Sequence, residues 1–178
     1  LPTTLVAQVD SAYGGKTGVD TAEGKNLVGA FHPPVAVVAD PLVLATLPEG
    51  EYRSGLAEAV KHGLIADREY FAWLEAQADA VLAREPAALQ HLVRRSVEIK
   101  AAVVGEDERE AGRRQLLNFG HTVGHAIEAS LGFEGIRHGE AVALGMVAAS
   151  RLAIALGRAH PAQGERLERL LTALGLPI

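Results

Sequence analysis

The spacing of apolar positions changes once along the chain. In the first fifty residues, Leu5 to Val9 and Val35 to Ala39 are short β-branched apolar runs bounded by Gly, Pro and Asp, and they predict strands. Between them runs a polar, glycine-rich segment, from Asp10-Ser-Ala-Tyr-Gly-Gly-Lys-Thr-Gly18 to Glu23-Gly-Lys-Asn26, that reads as loop. Beyond Pro48 the period lengthens to that of a helix. It predicts helices at roughly 50–66, 68–82, 86–107, 114–131, 139–157 and 162–174, punctuated by Asp67, Pro86, Gly112, Gly132 to Gly135 and Pro161. The stretch from Glu140 to Arg151 is apolar or small on almost every side, which predicts a buried helix. The pattern is that of an α/β remnant over residues 1–48, followed by an all-α domain over 49–178.

Composition narrows this picture. With 48% hydrophobic and 22% charged residues the chain is of ordinary globular type, and its 178 residues suffice for one substantial core. The net charge of −5 supplies no basic field, so no nucleic-acid partner is expected. Without cysteine there is no disulfide, thiolate metal site or thiol nucleophile, which fits a reducing compartment. Apolar stretches such as Ala141 to Ala149 are too short to span a bilayer, and no charged-then-apolar leader opens the chain. Its start at Leu1, without Met, is read as the mark of an excerpt or a processed piece. Of the 17 basic residues, 13 are arginine and only four are lysine: Lys16, Lys25, Lys61 and Lys100. A chain that prefers Arg elsewhere keeps Lys where a compact, titratable ammonium is useful.

Five groups of residues suggest chemistry. Asn118, His121, His125 and Glu128 follow at spacings of 3, 4 and 3 on one helical stripe that Arg114 extends, while Phe119, Val123, Ala126 and Ile127 form the stripe expected to face a core. A solvated polar face would more often use Lys and Glu, and two imidazoles at i and i+4 can converge on one ion. The pair is not a zinc-protease motif, because Thr122 stands where the general-base Glu is required. His138 precedes the buried helix, where a helix N-terminus favours the neutral, metal-binding imidazole, although a lone His there is more often a loop or capping residue. Glu58 and Lys61 sit one turn apart among apolar neighbours, a spacing equally suited to a surface ion pair. Lys100 continues the apolar line Val93, Val97, Val104, so its stem points inward and its charge must either snorkel out or meet an anion. Gly14 to Gly18 is not a phosphate-binding P-loop, since Asp10 stands at the position of the first glycine; its backbone and Lys16 could still approach a ligand.

Taken together, Gln8 to Val19, Gly24-Lys-Asn26, Ser54-Gly-Leu-Ala-Glu-Ala-Val-Lys61, Leu116-Leu-Asn-Phe-Gly-His-Thr-Val-Gly-His-Ala-Ile-Glu128 and His138-Gly-Glu-Ala-Val142 resemble, in order and spacing, the 3-dehydroquinate synthase family of sugar phosphate cyclases. The resemblance covers essentially the whole chain. It implies that residues 1–48 end a Rossmann-like nucleotide-binding domain whose first part, with most NAD contacts, is absent, together with a short C-terminal segment. By the same resemblance Glu58, His121 and His138 would hold one divalent metal, zinc or cobalt. Asp10, Lys16, Asn26, Lys61, Lys100, Arg114, Asn118 and His125 would surround the substrate, with His125 relaying a proton. Thr3, Thr4, Lys25 and the turn Val43, Leu44, Ala45, Thr46 would touch NAD, with Lys16 nearby.

The family's reaction, a carbon–oxygen lyase chemistry of the shikimate pathway, converts 3-deoxy-D-arabino-heptulosonate 7-phosphate to 3-dehydroquinate and phosphate. It proceeds by transient NAD-dependent oxidation, phosphate elimination, re-reduction and internal aldol closure. A cytoplasmic homodimer acting on a small sugar acid phosphate is the corresponding expectation, with no membrane partner. The alternatives are another sugar phosphate cyclase, which Arg114 and Asn118 disfavour, a glycerol dehydrogenase-like metal-dependent alcohol dehydrogenase, and a non-catalytic helical binding module.

Overall fold

The computed structural model describes residues 1–178 apart from Ala22, Glu23, Arg109, Phe133 and Glu134, with backbone alone at Asp20, Gly24, Lys25 and Asn26. The chain opens on a π-helical turn, Ala7–Ser11, and continues into an antiparallel hairpin of β1 (Lys16–Thr21) and β2 (Gly24–Phe31). A 3-10 turn, Pro41–Thr46, leads into α1 (Glu49–Ala66), α2 (Arg68–Ala76), α3 (Ala78–Leu82) and α4 (Pro86–Glu106). A second 3-10 turn, Arg113–Asn118, precedes α5 (His121–Ser130), α6 (His138–Ala155) and α7 (Pro161–Ala173).

The helical part follows the periodicity closely, and the N-terminal part does not. Leu5 to Val9, read as a strand, is coiled instead. Leu5 and Val9, four residues apart, are both fully buried, and Leu5 packs against the bare backbone of Gly55 in α1. Packing on α1 therefore overrides β propensity. Val35 to Ala39 is irregular and finds no strand partner among the described residues; Val35 and Val38 are exposed. The strands lie in the segment read as loop, where Val19 pairs with Val28 and Lys16 with Phe31. The helix read over 68–82 breaks at Gln77, and that over 114–131 breaks at Phe119-Gly120.

Close helix packing sets up the site. From Ser54 to Gly63, α1 is buried at every residue, and α6 runs against it as the central helix that its composition predicts. Where a Cβ on Gly139 would stand, the Ser54 carbonyl lies only 1.8 Å away, and the Ser54 hydroxyl accepts the Gly139 N–H at 2.8 Å. One and a half turns on, the Gly120 carbonyl lies 1.9 Å from the Cβ position of Gly145. Gly120 holds the left-handed conformation, φ 83°, that starts α5 at His121. No residue but glycine lets the three backbones approach this closely.

Candidate metal centre and its surrounding charges

Those contacts bring the middle of α1 and the first residues of α5 and α6 to one point. Glu58 is fully buried there, and its Oε1 faces His121 Nε2 at 3.6 Å and His138 Nε2 at 3.4 Å. Both rings are oriented from behind. His121 Nδ1 lies 3.3 Å from the Phe119 carbonyl, which can only accept, so Nδ1 carries the hydrogen. His138 Nδ1 lies 3.2 Å from Glu128 Oε1, a carboxylate–histidine pair that frees Nε2 in the same way. Glu58 Oε1 is buried without a hydrogen-bond donor, although two imidazole nitrogens look at it. That is a poor arrangement for three protein groups alone and a good one around a cation. Ligands roughly 2.0–2.1 Å from a tetrahedral zinc stand about 3.3 Å from each other, close to the spacing found.

Charge supports the same site. Burial would raise the Glu58 carboxyl, but the Lys61 ammonium against its Oε2, together with His138 and His121, outweighs this and holds it at about 2. The pair is wholly buried, so it is no surface ion pair. Burial pushes the His121 imidazole down to about 4 and keeps it neutral. Burial would also lower His138, but the Glu58 and Glu128 carboxylates hold it above the ordinary value. Among the described residues there are two further ligand sets: Asp10, Glu58 and His62, and His125, Glu128 and His138. In the first, Asp10 is already paired with Lys100; in the second, Glu128 is engaged in orienting His138.

Around this centre lies a buried charge network. Lys100 meets an anion and does not snorkel: its Nζ donates to the Asp10 carbonyl at 2.6 Å and pairs with Asp10 Oδ1 at 2.9 Å. Its charge thus has a partner within the fold. Burial still lowers the Lys100 ammonium, whereas Glu58 and Asp10 raise Lys61 against burial. Lys61, His62 and Lys100 together hold the Asp10 carboxyl well below its usual range despite burial. Arg114 is buried, donating to the Gly14 carbonyl at 2.8 Å and to the Glu108 carbonyl at 2.5 Å. Lys16 and Asn118 converge on one carboxylate, that of Glu110: Lys16 pairs with Oε2, and Asn118 Nδ2 donates to Oε1 at 2.6 Å.

The α5 stripes are only partly as expected. Phe119 packs on the core and Ile127 is half-buried, but Val123 and Ala126 are exposed, while Glu128 of the polar stripe is buried, His121 half-buried and Asn118 and His125 exposed. Glu128 and His121 turn inward because their partners His138 and Glu58 lie on α6 and α1. Arg114 and Asn118 belong to the separate 3-10 turn and do not extend that stripe. His125 is exposed, its ring edge-on to His121 at 5.3 Å between centroids. Of the residues expected near NAD, Thr3, Val43, Ala45 and Thr46 are exposed, Thr4 is half-buried and accepts the Ala7 N–H, and Leu44 points into the core. Arg84 fixes their turn by donating to the Leu44 and Ala45 carbonyls at 2.9 and 3.0 Å. The side chains of Lys25 and Asn26 lie outside the described residues. Sequence reading assigned no role to Glu128, Glu110 or His62. The place of Glu128 on the histidine stripe was a usable signal; the aperiodic stretch around Glu110 offered none.

Known proteins resemble the chain in both sequence and fold. Residues 1–54 match the family described as 3-dehydroquinate synthase N-terminal, and residues 55–178 match 3-dehydroquinate synthase C-terminal. A 3-dehydroquinate synthase of Halorhodospira halophila is 59% identical over 177 residues, which are 99% of this chain and 50% of that protein. Among solved structures, the 2-epi-5-epi-valiolone synthase of Streptomyces hygroscopicus, with NAD+ and Zn2+ bound, superposes with a TM-score of 0.91 at 36% identity, over 99% of this chain and 49% of that one. A 2-deoxy-scyllo-inosose synthase complexed with carbaglucose-6-phosphate, NAD+ and Co2+ gives 0.87 at 33% identity, over 98% and 47%. The chain spans about half the length of the relatives it matches. With both parts of the family matched in order and its histidine-rich stretch folded into one centre, the chain belongs to the 3-dehydroquinate synthase family.

Proposed function

We propose that the chain is the metal- and substrate-binding half of a 3-dehydroquinate synthase, a carbon–oxygen lyase that converts 3-deoxy-D-arabino-heptulosonate 7-phosphate to 3-dehydroquinate and phosphate. The observation that carries this reading is the convergence of Glu58 Oε1 with the free Nε2 atoms of His121 and His138, beside a buried set of lysines. Glu58, His121 and His138 would hold one zinc or cobalt ion. NAD would lie against Thr3, Thr4, Lys16, Lys25 and the turn Val43 to Thr46. When bound, NAD+ supplies a reversible hydride acceptor, and the metal supplies Lewis acidity toward the substrate's oxygens.

The chain's own residues do the rest. Lys61 keeps Glu58 ionised, so the carboxylate remains a ligand at every working pH. Lys16, Asn26, Lys100, Arg114 and Asn118 bind and orient the carboxylate and phosphate, with Asp10 fixing a hydroxyl. His125, exposed beside His121, can carry a proton between substrate and solvent through its ring nitrogens. Identity of 59% to a 3-dehydroquinate synthase, against 36% and 33% to other cyclases, supports this substrate over theirs. A cytoplasmic homodimer fits the reading. The test is release of inorganic phosphate from the heptulosonate phosphate by the full-length protein supplied with NAD and zinc or cobalt. Absence of release under both metals sinks the proposal.

A further inference from the structure

His62 is the most buried imidazole of the chain and has no role in the reading above. It is fully inaccessible, on α1 four residues beyond Glu58, and neither ring nitrogen completes a hydrogen bond. Leaving such a group unsatisfied is costly, and a fold seldom keeps that cost where Leu would pack as well. Its Nε2 stands 3.3 Å from Asp10 Oδ1, the same oxygen that Lys100 holds at 2.9 Å. One carboxylate oxygen is thus shared by a formed ion pair and an imidazole just short of a hydrogen bond.

We infer that His62 is a positioning residue for Asp10, closing an Nε2–H···Oδ1 hydrogen bond when an anionic substrate draws the Lys100 ammonium away. Contacts that serve a reaction are commonly long before the substrate binds and tighten afterwards. Without His62, Asp10 would lose its fixed partner when Lys100 turned to the substrate. The carboxylate would then swing, because Lys61 is committed to Glu58. The π-helical turn that carries Asp10 supports this division of labour. Its backbone is held by Lys100 at the Asp10 carbonyl, which leaves the side chain to be aimed separately.

The inference rests on the proposed activity, and a pair of variants of the full-length, NAD- and metal-loaded enzyme tests it. His62→Leu removes the donor and keeps the volume, whereas His62→Gln retains an N–H that reaches Asp10. His62→Leu should lose kcat about 10–100-fold with KM changed far less, at unaltered metal content and a melting temperature equal to or above the parent's. His62→Gln should recover most of the loss. Parental kcat in His62→Leu overturns the inference, as does equal impairment of both variants with lowered melting temperatures, which would make His62 a packing residue. A parent enzyme that releases no phosphate overturns the functional reading itself, and this inference with it.

Discussion

His138 and His121 face the same carboxylate oxygen and yet titrate in opposite directions, which gives metal uptake a definite pH dependence. His121, pushed by burial down to about 4, is neutral throughout the working range. His138 is held above its ordinary value by Glu58 and Glu128 and must release a proton before Nε2 can bind a cation. In the metal-free protein a raised pKa means stability fully present below the unfolded value and lost as pH rises through the folded one. Metal-linked stability runs the other way. Zinc affinity of the full-length protein should therefore fall by about tenfold per pH unit below the His138 value, with one proton released per ion. Calorimetry in buffers of different ionisation enthalpy measures both, and an affinity indifferent to pH between about 6 and 8 would contradict the assignment. Lys100 gives a second prediction. From sequence its inward line was clear but its partner was not, since Asp10 lies ninety residues away. Because the ammonium is paired in the fold, Lys100→Met should cost stability, about 1–3 kcal/mol by thermal denaturation, with Lys100→Met/Asp10→Asn recovering part of it. An unchanged or raised melting temperature in the single variant would show that the pair contributes nothing.

The helices were largely legible and the N-terminal elements were not, for physical reasons. Periodicity reports which face a helix buries, so α1, α4, α6 and α7 appear within a residue or two of expectation. It fails where long-range contact decides. Leu5 to Val9 coils because α1 offers it a groove at Gly55, and the hairpin forms where glycines obscured an alternation. In α5 the histidine stripe is legible but the burial of its two ends is not, because an imidazole and a glutamate read as polar although His121 and Glu128 serve an interior site. The packing of α5 on α6 yields a third prediction. A methyl group at Gly145 would stand 1.9 Å from the Gly120 carbonyl, with the rigid start of α5 behind it. Gly145→Ala should therefore force α5 outward, lower stability by about 1–3 kcal/mol and carry His121 away from Glu58 and His138. Metal content, read by elemental analysis, should fall in the folded variant. Stoichiometric metal there would mean that the centre tolerates a shift of α5.

At the scale of the molecule, the hydrophobic core gathers around α1, α4, α6 and α7 and takes in Leu5, Val9 and Leu44, while the apolar side chains of the hairpin lie outside it. Among the described residues no helix is long and apolar enough to cross a membrane. The hairpin matters most here. Among the described residues β1 and β2 form a sheet of two strands, and Val19, Leu27, Val28 and Phe31 each leave more than half of their surface in water. A two-stranded ribbon gains little from such a face by itself. Neither outer edge is extended by a further strand among the described residues, and such an edge is a template on which another chain can add one. In colloidal terms the charge of −5 opposes association while the exposed ribbon favours it, so the tendency to gel or precipitate should grow with salt, as the Debye length shrinks. The apparent mass of the 178-residue chain in sedimentation should rise with concentration and ionic strength, and Val28→Lys, placing a charge at the middle of β2, should suppress that rise while leaving the helical circular dichroism unchanged. A sedimentation coefficient independent of both variables would show that the ribbon's edges are inert.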